Sequence, residues 1–401
     1  MLYMAIGRIN SNDVKRNLLR LASIGQDSSG AVNRVFGCIF MDQEKNEIIQ
    51  YFQECGMTTS VDTVGNVHGM YSVAGEMADE IIIGSHYDSV KGGGMFDGTA
   101  GIVAAAECVR EFASCRKQCL YNIHVIATNG EEGNELGGTF GSRALMGILP
   151  TENNDFLKKA MKYGYTALDL KNAQMNTRNC QGYLELHIEQ GNILDNGGEK
   201  IGIVSGIVGL ERYIVHISGC SNHAGTTMMN QRDDALVKAA SLITWVNKRI
   251  KEYGQKMVAT VGEIHVYPNV PTVIPGEVSL IVEVRGLNGP SIYRFVQELT
   301  EKVNNTAGGS ITCLVKKKPV TCSSRFMEII KQACLAEELK YTIIQSGATH
   351  DGNSMALQMP IGMIFVPSKN GLSHCKEEWT SWEDLADGVQ ILYDTLVELA
   401  T

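Results

Sequence analysis

Short runs of aliphatic and β-branched residues punctuate this chain, and its chemistry-bearing side chains fall where those runs stop. Ile81-Ile82-Ile83 reads as a buried strand, and the Gly84-Ser85 step ends it where side chains can project into a cleft. Residues 121–128 form a second strand candidate and 363–368 another. Between them, 182–191 alternates, with Glu185, His187 and Glu189 on one face and Leu184, Leu186 and Ile188 on the other. Small residues from Gly98 to Ala106 mark a helix start, and the polar stretch 151–180 reads as helices and loops.

A second pattern follows Gly209: strand (212–217), helix (232–253), strand (257–266), strand (278–284), helix (291–304), strand (310–316). That order is the split βαβ arrangement of a ferredoxin-like sandwich. With 401 residues the chain exceeds what one hydrophobic core usually serves. The reading is therefore an α/β protein with a mostly parallel central sheet flanked by helices, formed by 1–208 and 320–401, into which an α+β domain, 209–319, is inserted. Paired crossings at 206–209 and near 319–322 make a hinge plausible.

Candidate chemistry sits at the strand ends. His86 and Asp88, two apart in extended chain, point the same way, so the Asp88 carboxylate can accept the second ring N–H of His86 and fix the tautomer that coordinates metal. Asp97 stands just before the helix start, where an ordinary N-cap would also explain it. Glu131 and Glu132 are adjacent carboxylates after the second strand; an exposed acidic turn looks the same, yet one can bind metal while its neighbour moves protons. The 182–191 run could be an edge strand with a polar face, and His374 a solvated loop histidine. Five ordinary explanations at once are less credible than one: His86, Asp97, Glu132, His187 and His374 all sit where an open α/β sheet builds its active site.

These segments resemble the N-carbamoyl-L-amino-acid hydrolase and allantoate amidohydrolase family of dinuclear metallohydrolases, relatives of aminoacylases and carboxypeptidase-G-type peptidases. The resemblance covers nearly the whole chain. It rests on Gly-Ser-His-x-Asp-Ser-Val at 84–90, Gly-Gly-x-Phe-Asp-Gly at 93–98, Glu-Glu-Gly at 131–133, Glu-Leu-His-Ile-Glu-Gln-Gly at 185–191, His-Ala-Gly-Thr-Thr at 223–227, Ile-Pro-Gly at 274–276, and the blocks around His350-Asp351, 365–368 and Ser373-His374.

The resemblance implies two divalent ions (zinc, manganese or cobalt) bridged by Asp97, with His86 and His187 completing one and Glu132 and His374 the other. It implies Glu131 as general base, and Asp88, the orienter of His86, counts with it among the catalytic residues. His223 would stabilise an oxyanion, at its own or a neighbouring subunit's site. Arg285 would grip a substrate carboxylate, and Gln190, Asn269 and Thr272 would contact substrate. The implied substrate is a small ureido carboxylate and the implied assembly a homodimer through the inserted domain, which would act as a lid. An aminoacylase or dipeptidase of the same fold is the alternative, and a catalytically silent metal-binding paralogue a more distant one. Three positions depart from the family pattern: Thr272 stands where Asn is usual, Met228 where Pro is usual, and Thr349 where Gly is usual.

Composition removes other classes. The net charge is −9, and the run Lys316-Lys317-Lys318 is too short for a nucleic-acid footprint. Gly92-Gly93-Gly94 is not followed by Gly-Lys-Ser or Gly-Lys-Thr, which rejects a phosphate loop. Eleven cysteines without paired metal-type spacing, no secretory signal and no membrane-length apolar run lead to the expectation of a cytoplasmic protein without membrane contact.

Overall fold

The apolar runs form strands whose burial on both faces explains their lack of polar alternation. The computed structural model describes residues 7–75, 78–115, 119–254 and 257–400. It divides into two compact units: one runs up to Ser205 and resumes at Cys322, and the other is Gly206–Thr321, a few residues wider at each end than the pattern indicated.

The first unit is built on β1 (Thr58–Val61), β2 (Val67–Tyr71), β3 (Glu80–His86), β4 (Asn122–Thr128), β5 (Cys180–Ile188) and β6 (Ile201–Ile207); the second contributes β7 (Gly209–Ser218), β8 (Met257–Tyr267), β9 (Glu277–Gly286) and β10 (Gly309–Lys317), and the chain then adds β11 (Val320–Thr321), β12 (Tyr341–Ser346) and β13 (Ile361–Val366). The larger sheet has a parallel centre in the order β4-β3-β5-β13. Its flanks are antiparallel, β1-β2 beside β4 and β6 beside β13. The 182–191 segment is thus a central strand, not a polar edge, and Glu185 and His187 are both buried. A buried polar face needs a physical reason, and the carboxyl ends of these four strands supply it.

The helix Thr99–Cys115 covers β3 and is apolar nearly all round. Two glycines let it come so close. A Cβ at Gly101 would lie 2.4 Å from the Leu186 carbonyl oxygen, and Gly98, at φ +65°, would put one 2.6 Å from the His86 ring. The helices Ser11–Ala22, Ile39–Glu54, Ser324–Ala336 and Trp382–Ala400, which the strand-centred reading left unassigned, complete the packing.

In the second unit the antiparallel sheet β10-β7-β9-β8 carries the helices Ala235–Lys251 and Gly289–Asn304 over a core that includes Val215, Leu280, Val282, Phe295 and Leu299. The first of these helices begins later than the 232 read from sequence because Asp234 caps it, accepting the N–H groups of Leu236 and Val237. At the two crossings, Val320 pairs with Ile207 and Thr321 with Gly206. No helix among the described residues is long and apolar enough to cross a membrane.

Beneath β3 lies Arg34, fully buried, donating to the carbonyls of Tyr87 (2.9 Å) and Ile24 (3.0 Å) and to Thr99 Oγ1 (2.6 Å). It ties both ends of the loop that carries Asp97. Glu44 is its nearest carboxylate, at 3.9 Å, with neither oxygen hydrogen-bonded. Burial pushes the Glu44 carboxyl from 4.5 up to about 7, with Arg34 opposing and Glu47 adding. A carboxyl raised in the fold holds its proton more tightly there than in the unfolded chain, so stability falls as pH rises through this window and stays lowered above it. Glu44→Gln should therefore raise the thermal midpoint by a few degrees at pH 8, the difference closing toward pH 5. A variant less stable than the parent at pH 8 would contradict this.

Candidate metal centre

Each of the four parallel strands delivers side chains at its carboxyl end. Strand β4 leads into Glu131 and Glu132, β3 ends on His86 and leads to Asp97, β5 carries His187 and leads to Gln190, and the loop after β13 carries His374. Asp97 is the meeting point. Its Oδ1 lies 3.4 Å from His86 Nε2 and 3.1 Å from His187 Nε2, and its Oδ2 lies 3.2 Å from His374 Nε2. Glu132 Oε1 is 3.5 Å from the same His374 nitrogen. Among the described residues, His86, Asp97 and His187 form one group with ligand atoms within 4.8 Å of one another, and Asp97, Glu132 and His374 form another.

These residues fit divalent cations. Asp97 Oδ1, Glu132 Oε1 and His187 Nε2 are buried without a hydrogen-bond partner, a costly arrangement unless a cation satisfies them. Tautomers agree: His187 Nδ1 faces the Ile188 carbonyl at 2.9 Å and His86 Nδ1 the Asp88 carbonyl at 3.1 Å, leaving each Nε2 lone pair free to coordinate. Mixed imidazole and carboxylate donors suit zinc, manganese or cobalt. A third group, Glu185, His187 and His350, shares His187 with the first. With Nδ1 committed to a carbonyl, the same Nε2 would have to serve both, so this group is no independent site.

Asp88 differs from the sequence expectation. Strand β3 stops at His86, so the two-residue rule of extended chain no longer sets the direction of Asp88, and its Oδ1 is 3.5 Å from His86 Nδ1, farther than the backbone oxygen. Its carboxylate instead accepts the N–H groups of Glu131 (2.9 Å) and Glu132 (3.1 Å). It fixes the turn that presents both glutamates.

The charges are strongly interdependent. Burial opposes ionisation of Asp97, yet the neighbouring imidazoles of His187, His374 and His86 hold its carboxyl well below the usual range. The Asp97 carboxylate beside it raises His374 to about 9. Burial pushes Glu132 up to about 7 and Glu131 well above the usual carboxylate range; His86 opposes the latter shift, and Asp351, Glu132 and Asp88 add to it. Glu131 belongs to neither ligand group and is nearly buried beside them. Gln190, at φ +57°, donates from Nε2 to Asp97 Oδ2 (3.0 Å), so it touches the shared carboxylate.

The remaining candidates lie in the second unit. His223 is exposed and its Nδ1 accepts the Gly225 N–H at 3.0 Å, which leaves the ring proton on Nε2 facing outward. The turn bearing His223 pairs with the turn bearing Thr272, through Ala224 N to Thr272 O at 2.9 Å; Asn269, at φ +56°, precedes it in the same loop. Arg285 is not with them. It sits near the far end of β9, opposite Leu210 and Val258, with Nε donating to Glu283 at 2.7 Å. Sequence reasoning overlooked Arg34 and Glu378, whose partners are distant in the chain. For Glu378, its place four residues after His374 was the available signal.

A family description, peptidase family M20/M25/M40, matches residues 82–398. A protein from Geobacillus stearothermophilus named N-carbamoyl-L-amino acid amidohydrolase is 34% identical, over 96% of this chain and 97% of its own. An allantoate amidohydrolase of Escherichia coli (strain K12) is 30% identical over 96% and 97% respectively. The crystal structure of an amidase of the hydantoinase/carbamoylase family from Burkholderia multivorans superposes with a TM-score of 0.87 at 26% identity, covering 98% of both chains.

Because both ligand groups share Asp97, Asp97→Ala should abolish tight binding of zinc or manganese altogether, whereas His374→Ala should spare the group on His86 and His187. Elemental analysis after equilibrium dialysis, with circular dichroism to confirm folding, measures this. Equal metal retention in the two variants would contradict a shared ligand.

Proposed function

The chain belongs to peptidase family M20/M25/M40, and we propose that it is a metal-dependent amidohydrolase cleaving a ureido C–N bond in a small carboxylate of the N-carbamoyl-L-amino-acid or allantoate type. One observation carries the reading: a buried carboxyl outside the ligand groups, Glu131, stands next to two such groups that share Asp97. A protein that merely stored metal would have little use for it. We assign two divalent ions to these groups; bound there, they would supply the Lewis acidity that brings the pKa of an attacking water toward neutrality.

The side chains have distinct tasks. Glu131 takes the proton of the attacking water and returns it to the departing nitrogen. Asp88 holds Glu131 and Glu132 through their backbone N–H groups. His223, with its outward Nε2–H, is the candidate donor to the oxyanion that forms as the planar ureido carbon becomes tetrahedral. Arg285 is the candidate partner of the substrate carboxylate, with Gln190 as a further contact; Asn269 and Thr272, which share the His223 end of the second unit, would contact substrate with His223 at a neighbouring subunit's site. The scissile C–N bond then breaks, and ammonia and carbon dioxide are among the products. Eleven free cysteines among the described residues accord with a reducing, cytoplasmic setting.

Glu131→Gln should lower kcat by about 10²- to 10⁴-fold with metal content unchanged. Assayed side by side, N-carbamoyl amino acids and allantoate should be turned over in preference to N-acyl amino acids and dipeptides; preference for either of the last two would replace this reading with an aminoacylase or dipeptidase.

We also assign the second unit to homodimerisation. Its strand β8 is one edge of the sheet β10-β7-β9-β8 and exposes Val258, Ile264 and Tyr267, an apolar edge of the kind that pairs with another copy. Light scattering should give twice the chain mass, falling to the monomer in Val258→Asp/Ile264→Asp. A monomeric parent would contradict the assignment.

A further inference from the structure

The ligands differ in what holds them. His86 and His187 stand on central strands, His86 paired with Thr128 of β4 and His187 with Phe365 of β13. His374 stands on a loop, at φ +58° and about half exposed, and Asp97 on a turn. The base of the His374 loop is closed by Lys369 N to Trp379 O (2.8 Å) and Thr380 Oγ1 to Pro367 O (2.9 Å), but those bonds lie several residues from the histidine. Something else must set where His374 meets Asp97.

Glu378 is placed to do it. Its side chain is buried, and its Oε1 accepts two consecutive backbone N–H groups, Phe96 and Asp97, each at 3.0 Å. Its Oε2 accepts Ser373 Oγ at 2.8 Å, immediately before His374, and its own N–H closes a turn onto Cys375 O at 3.1 Å. One carboxylate thus clamps the backbone of the shared ligand to the loop of the outermost one. The room for it is specific: a Cβ at Gly94 would lie 2.2 Å from Glu378 Oε1. No lysine or arginine pairs with Glu378 among the described residues, so a structural ion pair does not account for its burial.

We propose that Glu378 is a positioning residue for the metal centre, setting the separation between Asp97 and His374 and thereby the affinity of the group formed by Asp97, Glu132 and His374. This rests on the two-ion reading above and goes beyond it, since Glu378 is no ligand itself. The role depends on reach and acceptor geometry, not on charge. Outer partners of metal ligands typically contribute about 10- to 100-fold in affinity.

Two variants separate geometry from charge. Glu378→Gln keeps the length and a carbonyl oxygen for the two N–H groups, while its NH₂ can donate to Ser373 Oγ; Glu378→Asp keeps the charge and loses the reach. Titration of each purified protein with manganese or zinc, read by elemental analysis and calorimetry, should give two binding events in the parent and in Glu378→Gln at similar affinity. In Glu378→Asp the weaker event should lose about 10- to 100-fold while the other, on His86 and His187, is retained. The proposal fails if Glu378→Asp binds both ions as the parent does, or if Glu378→Gln loses as much as Glu378→Asp. A parent that binds fewer than two ions overturns the two-ion reading itself, a result the variants cannot mimic.

Discussion

Asp97 is a buried carboxylate with two oxygens facing two different sets of imidazoles, and much of the surrounding architecture answers the demands this makes. An ionised carboxylate without basic partners or cations would be too costly at this depth. His86 and His187 meet one oxygen and His374 the other, which holds Asp97 ionised against its burial. The same arrangement leaves buried donor atoms without partners, a deficit that divalent cations remedy. The site is thus organised by a charge balance as much as by shape.

Rigidity is graded across it. The parallel centre of the sheet fixes His86 and His187, and close helix packing at Gly98 and Gly101 presses the Asp97 turn against the His86 ring. Arg34 secures the loop from below, and Asp88 secures the Glu131-Glu132 turn through backbone donors. The most exposed ligand, His374, belongs to a loop, eight residues past the end of β13. A graded scaffold of this kind suits a centre in which one part must be constant and another must admit substrate.

Much of this was legible in the chain because β-branched runs announce central strands, and the ligands sit where those runs end. His86, Asp97, Glu132 and His187 could be picked out on that ground. His374 was picked out with them only as the histidine of the loop after the last strand, since eight residues past a strand it carries no periodic signal. Asp88 was misjudged in detail because the strand stops two residues before it. Arg34 and Glu378 were overlooked for a different reason: Tyr87 lies 53 residues from Arg34 and Phe96 lies 282 from Glu378, and a glutamate beside another glutamate reads as solvated charge. The inserted unit was readable from its order of elements, yet the grouping of its polar residues was not; register places Arg285 at one end of β9 and the His223 and Thr272 turns beyond the other.

The central claim is that Asp97 joins two cation sites, and anomalous X-ray diffraction from crystals equilibrated with zinc or manganese tests it most directly. The account predicts two anomalous peaks flanking the Asp97 carboxylate, one against His86 and His187 and one against Glu132 and His374. A single peak, or peaks away from Asp97, would contradict it.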